Sequence, residues 1–225
     1  MNMIRAKVHA LSAVMCLLFA FFSVNAGAQT TPWVGDTLDG RVCALIATGV
    51  AEGYGPFDYR FHKNRLPLVE GAHFTPDVEN LVRGKTAEHP MPDINYTLNR
   101  FPNHHRALYA AIRYALGESS YPRREGFYAE CYLQRAINFS PTDPTPYMLF
   151  GLYLHRMKKL DRALEMYERA EDLAPNDGNL LYNMGLLHFD LGNYDQSRHY
   201  ADEAYRRGID LPGLRRKLQE ASHRQ

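Results

Sequence analysis

The amino-acid sequence predicts an all-α protein, an α-α superhelix of about three helical repeats behind an irregular, turn-rich N-terminal cap. The first observation is an internal period, because Gly151 and Gly185 lie 34 residues apart and so do Pro141 and Pro175. Such a period is typical of repeats that stack on one another. The second is that Gly and Pro are denser in residues 29–100 than in residues 101–225. This predicts turns in the first part and regular helices in the second.

Composition supports a folded chain and limits its function. The 225 residues are 45% apolar and 12% aromatic, with 26 basic and 25 acidic side chains. A disordered chain would have fewer aromatic residues and a larger net charge. The near-neutral charge gives no positive field for phosphate, so we expect no nucleic-acid partner.

Residues 1–28 have the pattern of a secretory signal peptide. Arg5 and Lys7 precede a mostly apolar run over residues 8–24, and Ala26 and Ala28 fit a signal-peptidase site. Cleavage would remove two basic residues and no acidic ones, which leaves 24 against 25. We therefore expect an exported, periplasmic protein with no membrane span after cleavage. An uncleaved anchor is the alternative, although the apolar run is short for a membrane-spanning helix.

Two cysteines, Cys43 and Cys131, remain after such a cleavage. An oxidising compartment would allow them to form one disulfide. Two buried free thiols are equally compatible with the sequence, since cysteine is often buried as a small apolar residue.

The N-terminal cap, residues 29–100, is expected to contain one short helix. Thr75, Pro76 and Asp77 form a helix start, with a capping hydroxyl, a proline at the first position and an acid in the first turn, and Gly84 is a plausible stop. Residues 53–60 predict a tight turn followed by an extended aromatic stretch. This stretch is either a structural plug over the end of the helical array or part of a ligand surface.

The repeats resemble the tetratricopeptide repeat. In that family a first helix carries aromatic-x2-Leu-Gly-x2-Tyr, and a second helix carries Ala-x3-Phe, a small residue and a terminal proline. The first-helix positions here are Tyr147, Phe150, Gly151 and Leu154, then Leu181, Met184, Gly185 and His188. The second-helix positions are Ala163, Tyr167, Ala170 and Pro175. Glycine and alanine at these places predict a close approach of the paired helices.

A degraded earlier repeat spans residues 103–141. Ala129, Leu133, Ala136 and Pro141 match a second helix, residues 108–116 the first helix, and extra residues near 117–122 lengthen the turn between them. Residues 94–101 read as the remnant of another second helix, and residues 212–222 as a capping helix. The repeat domain is thus expected over residues 101–225.

The resemblance implies a concave groove lined by the first helices, which would hold another protein or a peptide segment, with acidic residues of that partner favoured by the arginines. The positions carried over are Arg106, Tyr109, Arg113, Met148, Leu152, His155, Arg156, Asn179, Tyr182, Leu186 and Phe189. The pattern of chaperone-binding members is absent, because Leu149 stands where a helper of Asn183 would be expected. Some of the groove could instead pack against residues 29–100 of the same chain.

No motif for catalysis, a cofactor or a metal is found in the sequence. His-Glu-x-x-His and Gly-x-Ser-x-Gly are missing, and no two histidines lie four residues apart. We therefore expect a non-enzymatic protein without a cofactor. The alternative is a small-molecule or metal site between the N-terminal segment and the helix start at His104, His105 and Arg106.

Overall fold

A computed structural model of the protein describes residues 35–43 and 54–222, and the expected signal peptide lies outside them. These residues contain ten α-helices and no strand, which confirms the all-α fold. The helices are α1 (Leu66–His73), α2 (Pro76–Glu79), α3 (Met91–Arg100), α4 (His105–Ala115), α5 (Ala129–Phe139), α6 (Pro144–Arg156), α7 (Leu160–Leu173), α8 (Gly178–Asp190), α9 (Tyr194–Arg206) and α10 (Pro212–Ser222). Within this part of the chain, no helix is both long and apolar enough to cross a bilayer.

Two tight helical hairpins, α6 with α7 and α8 with α9, are the most extensively packed helix pairs. Each first helix begins at an aspartate whose carboxylate accepts a backbone N–H, from Thr145 to Asp143 at 3.2 Å and from Asn179 to Asp177 at 2.8 Å. The turns also repeat, since the backbone has a positive φ at Lys158 (58°) and again 34 residues later at Gly192 (80°). The period in the sequence is therefore a period in backbone geometry.

The two repeated glycines allow close contacts, but with different partners. A Cβ at Gly151 would lie against the ring of Tyr167 on the paired helix α7, 2.5 Å from Cε1. A Cβ at Gly185 would lie 2.5 Å from Leu214 of the cap helix α10, and 3.4 Å from the carbonyl of Ser197 on the paired helix α9. The expected approach of the paired helix is thus found at Gly151. At Gly185 the cap helix comes closer.

The first repeat is more open than the two that follow. Residues 116–128, here called the long connection, separate α4 from α5, whereas only residues 157–159 separate α6 from α7. The pair α4 and α5 packs less extensively than the later hairpins, and α4 packs about as extensively against α3 as against α5. The lengthened turn that the sequence predicts is present.

The N-terminal segment contains one helix, α1, beyond the short helix and the helical remnant that the sequence predicts. The predicted helix starts at Pro76 but ends at Glu79, because Leu81 takes a positive φ of 59° well before Gly84. Two further helices, α1 and α3, flank it, and α3 starts three residues before the predicted remnant. Short helices such as these depend on tertiary burial, which the fully buried Phe101 provides by packing against Leu66 and Val69 of α1.

Residues 35–43, here called the tethered segment, lie against the repeats. Cys43 and Cys131 form a disulfide to α5, with their Cα atoms 5.5 Å apart. Gln134 of α5 adds two hydrogen bonds, accepting from the N–H of Gly35 (3.1 Å) and donating to the carbonyl of Asp36 (3.0 Å). Leu38 packs against the cores of both the first and the second repeat. The tethered segment therefore contacts both the first and the second repeat.

Candidate functional site

The predicted groove residues lie on three neighbouring helices. They are Arg106, Tyr109 and Arg113 on α4, Met148, Leu152, His155 and Arg156 on α6, and Asn179, Tyr182, Leu186 and Phe189 on α8. Helix α6 packs against α4 on one side and α8 on the other. The structure therefore places all of them on one row of first helices, as stacking of the repeats requires.

Exposure differs among these residues. Arg106, Tyr109, Arg156 and Asn179 are exposed. Arg113, Met148, Leu152, His155, Leu186 and Phe189 are partly exposed. The row thus presents the edges of apolar side chains between polar groups, a mixture that suits a peptide or a helix from another protein.

Tyr182 differs from the sequence-based prediction, because it is buried and not part of an open surface. Only 8% of it is exposed, and its hydroxyl accepts a hydrogen bond from the backbone N–H of Leu214 at 3.2 Å. The cap helix α10 covers it in packing against α8. The repeat pattern assigns Tyr182 to the row of first helices, but it does not say where the cap helix lies.

An ion-pair bridge joins the C-terminal ends of α4 and α6. Glu118, in the long connection, accepts from Arg113 at 3.2 Å with one carboxylate oxygen and from Arg156 at 3.2 Å with the other. The Arg156 side chain remains 57% exposed. A carboxylate of a partner could therefore reach Arg156 by competing with Glu118. Glu118 was not predicted, because its distance from Arg156 along the chain hides the contact.

A second bridge lies between α6, α8 and α10. Asp190 accepts from His155 (3.1 Å), from Lys158 (3.3 Å) and from Lys217 (3.0 Å). Burial by itself would raise the pKa of Asp190, but hydrogen bonds from Lys217 and His155 outweigh it and lower this pKa to about 2. Burial lowers the pKa of His155, opposed by the same carboxylate. The bridge fixes the position of α10 against the row and keeps Asp190 ionised.

The N-terminal segment contacts the opposite end of the row at Arg106. The Arg106 guanidinium forms a two-point ion pair with Glu79 of α2 and lies 3.6 Å from Glu70 of α1. It also lies over the ring of Phe74. The chain's own acids therefore occupy the arginine that was expected to meet a partner. The hydrogen bond with Arg106 lowers the pKa of Glu79.

His104 is a buried, neutral capping residue. Its Nδ1 accepts from the backbone N–H of Ala107 at 3.2 Å, so Nε2 carries the proton and donates to Glu70 at 2.9 Å. Burial lowers the pKa of His104, and the hydrogen bond to Glu70 only partly opposes this. Both ring nitrogens are thus used within the chain.

A polar cluster docks the aromatic stretch onto the start of α4 and α6. His105 and the amide of Asn103 each donate to Asp143 at 2.8 Å, and Asn103 also donates to Asp58 at 3.0 Å. Arg60 donates to Asp58 at 3.0 Å and to the hydroxyl of Ser140 at 2.7 Å. Burial would raise the pKa of Asp58, but the bonds from Arg60, Ser140 and Asn103 lower it. These side chains satisfy one another, which favours the plug interpretation of residues 53–60.

A metal centre at this place finds no geometric support. Residues 35–43 and 54–222 contain no group of three or more His, Cys, Asp or Glu side chains arranged to hold a metal ion. His105 and His104 point to different carboxylates, Asp143 and Glu70. The contacts seen around His104 and His105 are those of a docking interface.

Comparison with known families bears on the repeats alone. Residues 144–177 and 178–207 match the tetratricopeptide repeat family, and these spans contain the two tight hairpins. The matches support the resemblance that the sequence predicts, and this repeat is typically a non-enzymatic scaffold for protein–protein interaction. No curated protein sequence matches the chain.

Proposed function

We propose that the protein is an exported scaffold that holds another protein, or organises an envelope assembly, through its row of first helices. The observation that carries this is the arrangement of α4, α6 and α8 side by side, with apolar edges at Leu152 and Phe189 lying between charged groups. The family matches over residues 144–207 support a scaffold of this general kind.

The charges at and beside the C-terminal ends of the row favour a partner that carries acidic residues. Arg156, Lys158 and Lys217 keep 57%, 73% and 44% of their side chains exposed, while the two bridging acids, Glu118 and Asp190, keep 37% and 20%. Carboxylates of a partner would take over these exposed donors, and apolar side chains would pack beside Leu152 and Phe189.

The proposed export is based on the signal-peptide pattern of residues 1–28, and the disulfide agrees with it. Disulfides persist in oxidising compartments and are rare in the bacterial cytosol, and the structure joins Cys43 to Cys131. The proposal predicts that the protein purified from the envelope of a Gram-negative host starts at residue 29. Intact-mass measurement checks this, and an unprocessed N-terminus would contradict cleavage.

The alternative site at His104, His105 and Arg106 has less support. Each of these three side chains is bonded to an acid of the same chain, namely Glu70, Asp143 and Glu79. A ligand there would have to break contacts that hold the N-terminal segment in place.

Site-specific photo-crosslinking tests the scaffold. A photoreactive phenylalanine analogue at the exposed Tyr109 should trap a defined protein in the native envelope, whereas the same analogue at Arg169, exposed on α7, should not. Arg156→Glu should weaken trapping from position 109, and Arg169→Glu should leave it unchanged. Equal trapping from both positions, or trapping that ignores Arg156→Glu, would overturn the proposal.

A further inference from the structure

The two most exposed large apolar side chains of residues 35–43 and 54–222 lie close together in the N-terminal segment. Phe61 is 72% exposed and Leu68 is 66% exposed. Phe61 precedes α1, Leu68 lies on α1, and residues 63–68 are helical. The backbones at these two positions are therefore at most about 15 Å apart. A pair of neighbouring apolar side chains in water is typical of a surface that contacts another molecule.

The exposed side of α1 carries no charge. Leu66 and Val69 are buried in the core of the N-terminal segment. The single acid of α1, Glu70, is only partly exposed and accepts a hydrogen bond from His104 at 2.9 Å. The exposed residues of α1 are Pro67, Leu68, Gly71 and Ala72. A helix on a protein surface usually presents charged or polar side chains to water. We call Phe61 together with these four residues the apolar patch.

Two exposed cations lie within the stretch of chain that carries the apolar patch. Lys63 and Arg65 stand between Phe61 and Leu68. The Lys63 ammonium lies 3.5 Å from the centre of the Tyr59 ring. Neither cation forms an ion pair with a residue of the described ranges, and the exposed residues of 61–72 include no acid. The positive charge in this stretch is therefore not neutralised by those parts of the chain.

The acids on either side of this stretch in the sequence are bonded to other residues. Asp58 accepts from Arg60 at 3.0 Å and from the hydroxyl of Ser140 at 2.7 Å. Glu70 accepts from His104, and this hydrogen bond is the largest cause that lowers the pKa of Glu70, whereas Lys63 is the smallest. An anionic partner would therefore meet two exposed cations without having to displace an acid of the same chain from them.

The composition of the exposed stretch favours a lipid surface over a protein partner. Specific protein interfaces depend on matched hydrogen bonds around an apolar centre. Besides the two cations, the exposed side chains of residues 61–72 that can form hydrogen bonds are those of His62 and Asn64. An apolar helix face with basic residues beside it is instead the usual composition of a helix that lies in the headgroup region of a bilayer. Cations near the surface add affinity where the lipids are anionic.

We propose that the apolar patch docks the protein on a membrane surface that contains anionic phospholipids. Phe61 and Leu68 insert between the lipid headgroups, and Lys63 and Arg65 pair with lipid phosphates. The contact is peripheral, with α1 lying along the surface. It is separate from the row of first helices and does not depend on the scaffold function.

Sedimentation with vesicles tests the proposal on the full protein purified from the envelope. Vesicles of phosphatidylcholine with about 30% phosphatidylglycerol should bind it about tenfold more strongly, or more, than phosphatidylcholine alone, because each cation near an anionic surface adds about fivefold in affinity. Sodium chloride at about 0.5 M should remove this preference by screening. Equal binding to both kinds of vesicle, or no binding to either, would overturn the proposal.

Substitution of the apolar side chains locates the contact. Phe61→Ser with Leu68→Ser should weaken binding about tenfold or more, because each serine removes apolar surface from the bilayer. The matched control, Leu173→Ser with Leu211→Ser, changes two exposed apolar side chains outside the patch and should leave binding unchanged. All variants keep the same N-terminus, so any contribution of residues 1–28 is common to them. Thermal melts check that the variants are folded, and wild-type binding by the first variant would overturn the proposal.

Substitution of the cations tests the lipid preference. Lys63→Gln with Arg65→Gln should bind both kinds of vesicle equally, because the attraction to anionic lipid is lost. The control, Arg169→Gln with Arg216→Gln, removes the same amount of charge at exposed positions elsewhere and should keep the preference. If the first double variant also keeps the preference, Lys63 and Arg65 do not meet lipid phosphates and the proposal is wrong.

A fluorescent residue at position 61 distinguishes insertion into lipid from contact with a protein. Trp33 is the only tryptophan in the sequence, so Trp33→Phe with Phe61→Trp reports on position 61 alone. Its emission should shift to the blue on phosphatidylglycerol vesicles and should be quenched by lipids brominated on their acyl chains. Emission that stays as in water would overturn the proposal. If vesicles do not bind and a photoreactive analogue at Leu68 traps a defined protein in the envelope, the patch is a protein interface instead.

Discussion

The ring of Tyr167 occupies the space into which a side chain at Gly151 would point. Tyr167 is fully buried on α7, and Gly151 is buried on α6. The pair therefore sets the distance between the two helices of the hairpin, because a close-packed interior leaves no room for an added atom. Each member of the pair gives a separate prediction.

Gly151→Ala should destabilise the protein by about 1–3 kcal/mol, the usual cost of overpacking a core. The new methyl group must displace the Tyr167 ring, which other core residues surround. Gly71→Ala is the control, since a Cβ at this exposed helical glycine meets no atom within 4 Å, and its helix propensity should make it neutral or stabilising by up to about 1 kcal/mol. Urea unfolding monitored by circular dichroism measures both. Equal stability of the two variants would contradict the close contact.

Tyr167→Phe should stabilise the protein by about 1 kcal/mol, because its buried hydroxyl has no hydrogen-bond partner among the described residues. Burial accordingly raises the pKa of Tyr167. Tyr132→Phe is the matched opposite, since that buried hydroxyl donates to Asn95 at 2.9 Å, and its loss should cost about 1 kcal/mol. Thermal and urea unfolding should move the two variants in opposite directions, and a loss of stability in Tyr167→Phe would show that the hydroxyl is satisfied.

The disulfide should contribute a large part of the stability. It closes a loop between residues 88 apart in the sequence, for which chain entropy gives about 4–5 kcal/mol and measured losses are about 2–5 kcal/mol. The double variant Cys43→Ser, Cys131→Ser should therefore have a lower melting temperature than the wild type. Reductant should lower the melting temperature of the wild type but not that of the double variant. A wild-type melt that does not respond to reductant would contradict the bond.

The sequence predicted the repeats well because the residues that determine each hairpin lie close together in the chain and recur at a fixed spacing. Gly151 and Ala163 recur at a spacing that specifies a hairpin, and the turns around Lys158 and Gly192 follow from the same period. The N-terminal segment was predicted less well. Its short helices have no period of their own and depend on partners far along the chain, such as Phe101 against Leu66.

For the candidate site too, one property could be predicted from the sequence and another could not. Helix position was predictable, so the groove residues do share a row of helices. Their accessibility was not, because it depends on which residues of the same chain arrive from elsewhere. Arg106 meets Glu79, and Tyr182 is covered by Leu214. Neither contact can be recognised from the repeat pattern in the sequence.

Acid should weaken the fold from about pH 6.5 downward, in part through His104. Burial holds the pKa of His104 in the folded protein below its usual value, whereas an unfolded histidine titrates near pH 6.5. Between these two values the unfolded chain binds a proton that the folded protein does not bind. The free energy of unfolding therefore falls as the pH is lowered through this window. Burial lowers the pKa values of His89, His155 and His188 as well, so His104 supplies only a share of the effect.

The variant His104→Asn separates the contribution of His104 to this loss of stability from the contributions of the other histidines. Asparagine can still accept the N–H of Ala107 at the start of α4, but it does not titrate, so the loss of stability between about pH 6.5 and pH 5 should become smaller. Its stability at pH 7 should be lower than that of the wild type, because the hydrogen bond to Glu70 is lost. The exposed His62 provides the control, and His62→Asn should keep the wild-type pH dependence. Urea unfolding at both pH values measures the difference. If the His104→Asn protein loses as much stability as the wild type, then His104 binds its proton in the folded protein as readily as in the unfolded chain, and the prediction is wrong.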